Sequence, residues 1–241
     1  MSADGSYTYL NRQQEAVGME PRYERNIPSV SPEEQTLLAQ KRVLVVGCGG
    51  LGGYIIEYLV RMGVGELTVV DGDVFEPSNL NRQILSGQET LGKGKAAAAA
   101  ARANNVNPLI KVTPAAEFLT ADNADALTAD QDLVMDALDN APARLILEDA
   151  CARQGVTVVH WAIRGWTVQA TVARPGKGVL HQLYHGDYAP DSKTSLPFTP
   201  AFCAAVQCAE AVKLLCRRPS DLDGALLTAD LERMRWEIIR L

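Results

Sequence analysis

Hydrophobic positions along this chain fall into short blocks whose period switches between that of a strand and that of a helix. Arg42-Val43-Leu44-Val45-Val46 is a continuous apolar, β-branched run closed by glycines. It predicts a strand buried on both faces, as in a parallel sheet. Residues 54–62 carry helical apolar spacing that stops at Gly63 and Gly65, and Leu67-Thr68-Val69-Val70-Asp71 is a second buried strand. Strand, helix and strand in such close succession make a βαβ unit, which closes right-handed. The alternation goes on through an Ala-rich helix over 94–105, a strand over 110–113, a buried strand Leu133-Val134-Met135-Asp136, a helix over 142–153 and a strand over 156–161. From Gly165 the rhythm changes. Thr167-Val168-Gln169-Ala170-Thr171-Val172 alternates polar and apolar, as an antiparallel, half-exposed strand does. An apolar helix over 201–216 comes next, then a hairpin over 226–241 with Asp230 near its turn.

The remaining stretches are irregular. Residues 1–30 are polar, lack a clear period, contain Arg22 and Arg25, and read as an N-terminal arm with too little apolar content for a core of its own. Ser31-Pro32-Glu33-Glu34 has a Ser cap, Pro at the first helical position and acids in the first turn, so it opens a short helix reaching about Gln40. Residues 184–199 are rich in Pro, Asp, Ser and Gly and read as a mobile loop. The expected fold class is α/β: a Rossmann-like, mainly parallel sheet with helices on both faces and an antiparallel C-terminal extension. No Pro/Ser-rich linker divides 31–241, so a single domain is expected there.

Composition narrows the function classes. Of 241 residues, 47% are hydrophobic and 22% charged, which is globular usage. The 23 basic and 29 acidic residues leave a net charge of −6, a field that does not draw in a phosphate backbone, so no nucleic-acid partner is expected. No apolar run approaches the roughly 20 residues of a membrane span, and none is expected. The opening MSADGSYTYL lacks a basic and an apolar leader region, and the cysteines (Cys48, Cys151, Cys203, Cys208, Cys216) are odd in number and scattered. A reducing, cytoplasmic location is therefore the expectation.

The chemistry concentrates at predicted strand ends. Gly47-x-Gly49-x-x-Gly52 lies between a strand and a helix, and Asp71 ends the next strand about twenty residues on. Glycines allow a tight turn and a close approach to phosphate at a helix N-terminus, and the acid suits ribose hydroxyls. That pattern alone serves NAD as well as ATP. The residues beyond Asp71 distinguish them: Ser78-Asn79-Leu80-Asn81-Arg82-Gln83, then Lys95, then Asp139-Asn140 past the strand that ends at Asp136. Hydride transfer needs no cations on the diphosphate and no carboxylate at the next strand end. Nucleotidyl transfer does, to neutralise a leaving pyrophosphate and to hold Mg²⁺. Taken singly, Arg82 could be a surface ion-pair partner, Lys95 a solvated helix-start lysine and Asp139 a helix cap; together and in this order they point to one site.

These stretches resemble the MoeB/ThiF/HesA family of adenylyltransferases, relatives of the ubiquitin-activating enzymes. The likeness also includes Arg22-Tyr23-x-Arg25, Asp71-Gly72-Asp73 and Gln207-x-x-Glu210-Ala211-x-Lys213-Leu214-Leu215, and spans nearly the whole chain from residue 22. It implies use of MgATP to activate the C-terminal carboxylate of a ubiquitin-like sulfur-carrier protein ending in Gly-Gly, giving an acyl-adenylate and pyrophosphate. By the same likeness, Gly47, Gly49, Gly50 and Gly52 form the phosphate loop, with Gly50 contacting phosphate through its backbone. Asp71 holds the ribose, Asn79, Arg82 and Lys95 bind phosphates, and Asp139 places Mg²⁺. Ser78 and Asn140 belong to the same nucleotide-binding stretches. Arg25 matches an arginine that reaches across a homodimer into the partner's site, so the catalytic set expected is Arg25, Arg82, Lys95 and Asp139.

The chain also departs from the family. Many members carry zinc on two Cys-x-x-Cys pairs. Here the first location reads Val179-Leu180-His181-Gln182-Leu183-Tyr184, the second is missing, and His160, His181 and His185 are scattered, so no zinc is expected. Some members form a covalent link through a cysteine in the mobile loop. Residues 184–199 contain none, so adenylation without a thioester there is expected. Cys203, Cys208 and Cys216 read as helix-packing residues and Cys48 as packing beneath the glycine loop, with thiol chemistry at one of the four the minority reading. Three other functions fit less well: an ATP-dependent tRNA threonylcarbamoyladenosine dehydratase, against which the net charge argues; a non-catalytic carrier-binding module, against which intact Arg82, Lys95 and Asp139 argue; and an NAD-dependent oxidoreductase, for which no acid/base histidine is placed.

Overall fold

The computed structural model describes residues 20–185 and 194–241. Among these residues, eight strands form one sheet in the order β3-β2-β1-β4-β5-β6-β7-β8. They are β1 (Arg42–Val46), β2 (Glu66–Val70), β3 (Lys111–Ala115), β4 (Leu133–Asp136), β5 (Val158–Arg164), β6 (Thr167–Ala173), β7 (Ala225–Asp230) and β8 (Arg235–Arg240). The first five pair in parallel and the last three add on antiparallel, as the switch from continuous to alternating patterning predicts. Val46 stands level with Val70 on one side and with Asp136 on the other, so the loops leaving β1, β2 and β4 emerge side by side.

Helices cover both faces. α2 (Gly50–Met62), α3 (Lys95–Val106) and α7 (Phe198–Leu215) pack on the side to which β1 presents Val43 and Val45. α4 (Ala124–Thr128), α5 (Ala141–Gln154) and α6 (Val179–Leu183) pack on the side of Leu44 and Val46. α1 (Pro32–Leu38) starts with the expected cap: Ser31 Oγ accepts from Glu34 N–H, and the Glu34 carboxylate accepts from Ser31 N–H at 2.8 Å. α7 is long and apolar enough for a membrane span by length and composition, with a mean hydropathy of 1.2 over 18 residues. It is instead laid against α2 and the sheet, with Cys203, Ala204, Cys208 and Ala211 in the core.

Differences from the sequence reading are local. α2 begins at Gly50, four residues before its apolar spacing, because the glycine-rich turn supplies its first turn. α4, α6 and two 3₁₀ turns (Pro21–Asn26 and Pro77–Asn79) are too short for periodicity to reveal. Of the expected loop 184–199, residues 186–193 lie outside the described residues, while Tyr184 is buried and α7 already starts at Phe198. Of the expected arm, residues 1–19 lie outside the described residues. Residues 20–30 are not a free arm: Tyr23 is buried, its ring packs on Gly63 at the end of α2, and its hydroxyl accepts from Asn107 Nδ2 at 2.7 Å. Arg22 donates to Asn107 Oδ1 at 2.7 Å from the same turn.

Candidate active site

The sheet order reverses between β1 and β4, and at such a switch point the loops at the carboxyl ends of parallel strands diverge and leave a crevice. Gly47 adopts φ +101°, which only glycine holds without strain, and its amide donates to Val70 O at 2.8 Å, tying the turn to β2. Gly52 is needed for space: a Cβ there would stand 1.7 Å from Gly47 O. Asp71 grips the same turn. Its Oδ2 accepts from Cys48 N–H and its Oδ1 from Asp73 N–H, each at 2.8 Å, so part of its work is to shape the loop.

Ser78-Asn79-Leu80-Asn81-Arg82-Gln83 folds over the start of α2. The Arg82 side chain passes 3.5 Å from where a Gly50 Cβ would be, and its guanidinium is braced by Ser78 O at 3.0 Å and Asn81 Oδ1 at 2.8 Å. Arg82 is thus aimed along the loop, held by a carbonyl and an amide oxygen where a surface acid could have claimed it. Asn79 is buried and its Oδ1 accepts from Glu76 N–H at 3.0 Å, so it secures the turn that presents Arg82, while Ser78 is exposed. Lys95 opens α3 but is not solvated: its side chain is 9% exposed and its ammonium lies 3.0 Å from Asp73 Oδ2. Asp139 and Asn140 are exposed in the loop that leaves β4, two and three residues past Ala137, which abuts Gly47. The helix cap is Asn140, which accepts from Ala143 N–H, and among the described residues this leaves the Asp139 carboxylate with one long contact of 3.3 Å from the Asn140 amide.

Arg25 is not brought to this group. It is exposed on the 3₁₀ turn that docks at the C-terminal end of α2, and the glycine turn is at the other end, about 20 Å away for 13 residues. Two further residues belong to the site, and a third lies behind it. Asp73 shows in the sequence only as the second acid of Asp71-Gly72-Asp73. Gln83 is buried against Gly49, and its Oε1 has no hydrogen-bond partner among the described residues. His160, buried in β5, lies 2.6 Å from Asp136 and 3.0 Å from Tyr184, so a histidine is placed after all, though behind the site and not in it. Burial pulls the His160 pKa down against the opposing pull of Asp136. Two polar residues at matching heights on two buried strands are the available clue.

All five cysteines are buried and unpaired. Burial pushes up the thiols of Cys48, Cys203, Cys208 and Cys216, and Cys151 reaches about 12, which is the environment of packing residues and not of nucleophiles.

The ThiF family profile matches residues 23–241. The chain belongs to the ThiF family. It is 39% identical over 226 residues to the SAMP-activating enzyme E1 of Haloferax volcanii, covering 90% of this chain and 84% of that protein. It is 39% identical to the sulfur carrier protein adenylyltransferase of Thermus thermophilus, covering 79% and 69%. It spans about half the length of the relatives named adenylyltransferase and sulfurtransferase MOCS3, with 35% identity to that of Bos taurus over 91% of this chain and 50% of the relative. Among solved structures, E. coli MccB with ATP superposes with a TM-score of 0.78 at 20% identity, over 92% of this chain and 72% of that one. E. coli tRNA N6-threonylcarbamoyladenosine dehydratase, TcdA, reaches 0.69 at 23% identity, over 81% and 94%. At such identities the structural likeness speaks for the fold of this ThiF-family chain.

Proposed function

We propose that this ThiF-family chain is an ATP-dependent adenylyltransferase that activates the C-terminal Gly-Gly carboxylate of a ubiquitin-like sulfur-carrier protein. The observation that carries the reading is the convergence, around the glycine turn, of a guanidinium laid along Gly50, a nearly buried Lys95 ammonium and an Asp139 carboxylate from the adjacent strand end. In the reaction a carrier carboxylate oxygen attacks the α-phosphorus of ATP. The bond from that phosphorus to the bridging oxygen breaks, and pyrophosphate leaves with the electron pair. Arg82 and Lys95 supply positive charge where the leaving group gains negative charge, which is where fixed cations accelerate transfer most. Asp71 keeps lone pairs for ribose hydroxyls beyond the two amides it already serves.

The residues present fit Mg²⁺. Asp139 is a hard, exposed carboxylate with a single long hydrogen bond among the described residues, and Mg²⁺ takes one or two such carboxylates together with phosphate oxygens. When bound, the ion neutralises part of the phosphate charge. Zinc-free chemistry, a cytoplasmic setting and the absence of a nucleic-acid or membrane partner belong to the same proposal.

We also propose a C₂ homodimer with Arg25 acting on the partner's ATP. What supports it is reach: Arg25 sits at the far end of α2 from its own glycine turn, farther than an arginine side chain extends. Pyrophosphate exchange with a Gly-Gly carrier tests the activity, and tight NAD binding without ATP binding refutes it. Mixing Arg25→Ala with Asp139→Ala chains tests the dimer. With Arg25 in trans, each mixed dimer keeps one intact site and activity partly returns; with subunit exchange confirmed and no rescue, the shared site is wrong.

A further inference from the structure

Behind the loop that carries Asp139 lies a closed set of hydrogen bonds among Asp136, His160, Arg144 and Tyr184. Its direction is set by the donors. Arg144 Nη1 at 2.9 Å and Gln169 Nε2 at 3.2 Å both donate to the Tyr184 hydroxyl oxygen and fill its two lone pairs. The hydroxyl proton is then left for His160 Nε2, 3.0 Å away, which makes that nitrogen the acceptor. The ring proton is on Nδ1 and is donated to Asp136 Oδ2 at 2.6 Å. Asp136 Oδ1 accepts from Leu138 N–H at 2.9 Å, and Arg144 Nη2 donates to Leu138 C=O at 2.6 Å. Both peptide groups of Leu138 are therefore held, and the second of them is the bond to Asp139.

Asp136 and His160 are fully buried, so neither meets a substrate. For stability alone, apolar side chains of similar volume would serve as well as a buried charged network, which costs desolvation. What a network adds is direction, and here that direction ends on one peptide bond. Tyr184 is itself fixed from the other side. It sits just past α6, whose Leu180 and His181 amides donate to the Glu148 carboxylate of α5, each at 2.9 Å.

We propose that Tyr184, acting through Arg144 and His160, is a positioning residue for Asp139, holding the Leu138–Asp139 peptide so that the carboxylate stands where Mg²⁺-bound phosphates need it. This rests on the role of Asp139 in the function proposed above. Tyr184→Phe keeps the ring and removes the hydroxyl that fixes one arm of the Arg144 fork, so that the arm on Leu138 is held only by the longer 3.5 Å approach of Arg144 Nε to Asp136 Oδ2. Arg144→Lys keeps the charge but loses the fork that spans Tyr184 and Leu138.

Calorimetry with ATP, in EDTA and in saturating Mg²⁺, tests it on the full chain. Each variant is expected to bind ATP in EDTA as the parent does and to lose about tenfold of the gain in affinity that Mg²⁺ brings. An equal fall in both arms marks a merely structural role and overturns the inference, and so does an undiminished gain in both variants. If Tyr184→Phe does not fold, Arg144→Lys decides alone. Asp139→Ala separates the two readings. If it keeps the Mg²⁺ gain, the role of Asp139 fails and the inference with it. If it loses the gain while both network variants keep it, only the positioning inference fails.

Discussion

Alanine at Gly52 and alanine at Gly50 separate the two reasons for a glycine in this turn. A Cβ on Gly52 would stand 1.7 Å from Gly47 O and 2.7 Å from Gly47 C, so the clash is with backbone and no side chain can yield. Relief requires moving the turn that β2 and Asp71 hold by hydrogen bonds at 2.8 Å. Overpacking usually costs about 1–3 kcal/mol, and a backbone-on-backbone overlap belongs at the upper end. At about 2–4 °C per kcal/mol for a chain of this size, Gly52→Ala should lower Tm by about 6–12 °C. Gly50 is different. Its Cβ would stand 3.5 Å from Arg82 Cγ and 3.6 Å from Pro200 Cγ, which is ordinary contact, in the first turn of a helix where alanine gains up to about 1 kcal/mol over glycine. Gly50→Ala should therefore melt at or slightly above the parent, yet bind MgATP about 10–100-fold more weakly, because the methyl stands off a phosphate oxygen from the backbone amide. Circular-dichroism melts and calorimetry with MgATP measure both effects. A parental Tm for Gly52→Ala would refute the close-approach argument, and parental MgATP affinity for Gly50→Ala would refute the phosphate contact.

Lys95→Met keeps the buried stem and removes the charge; pyrophosphate exchange should fall by about 10²–10³-fold with little change in Tm, since Asp73 is 57% exposed and needs no partner. The Arg218 guanidinium against Glu34 holds that carboxyl at about 2. A depressed carboxyl stabilises the fold above its ordinary value of 4.5 and loses that contribution as pH falls toward about 2, so Arg218→Gln should lower Tm slightly on the neutral side, as befits an exposed ion pair, and its Tm–pH curve should converge with the parent's as pH falls toward about 2. Native protein should resist iodoacetamide at all five buried cysteines until unfolded, and rapid labelling of Cys48 in the native state would place it in the chemistry instead of beneath the turn.

The parts of this molecule that are legible in its sequence are those whose cause lies within a few residues. β1 and β4 are legible because a strand covered on both faces is a nearly continuous apolar run, here broken only at one end of each, by Arg42 and by Asp136. The glycine turn is legible because its geometry excludes other side chains, and Arg82 because it lies within the loop that covers that turn. Lys95 stands out in the sequence but its burial does not, since its partner Asp73 reaches it only through the bridge between Val74 and Gly94. The docking of Tyr23 depends on Asn107, 84 residues away, and nothing near Tyr23 records it. The same holds for Asp136 and His160. Each stands out as a polar residue in an apolar run, yet their contact requires that β5 pair with β4 in a register which sets Met135 beside Val159. Tyr184 then joins them only after the chain has run through β6 and α6. The candidate nucleotide-binding groups lie in short motifs at the ends of strands and the starts of helices, each with a local cause, whereas the groups that hold them are recruited across the sheet. A reading from sequence therefore reaches the first set and must wait for topology to reach the second.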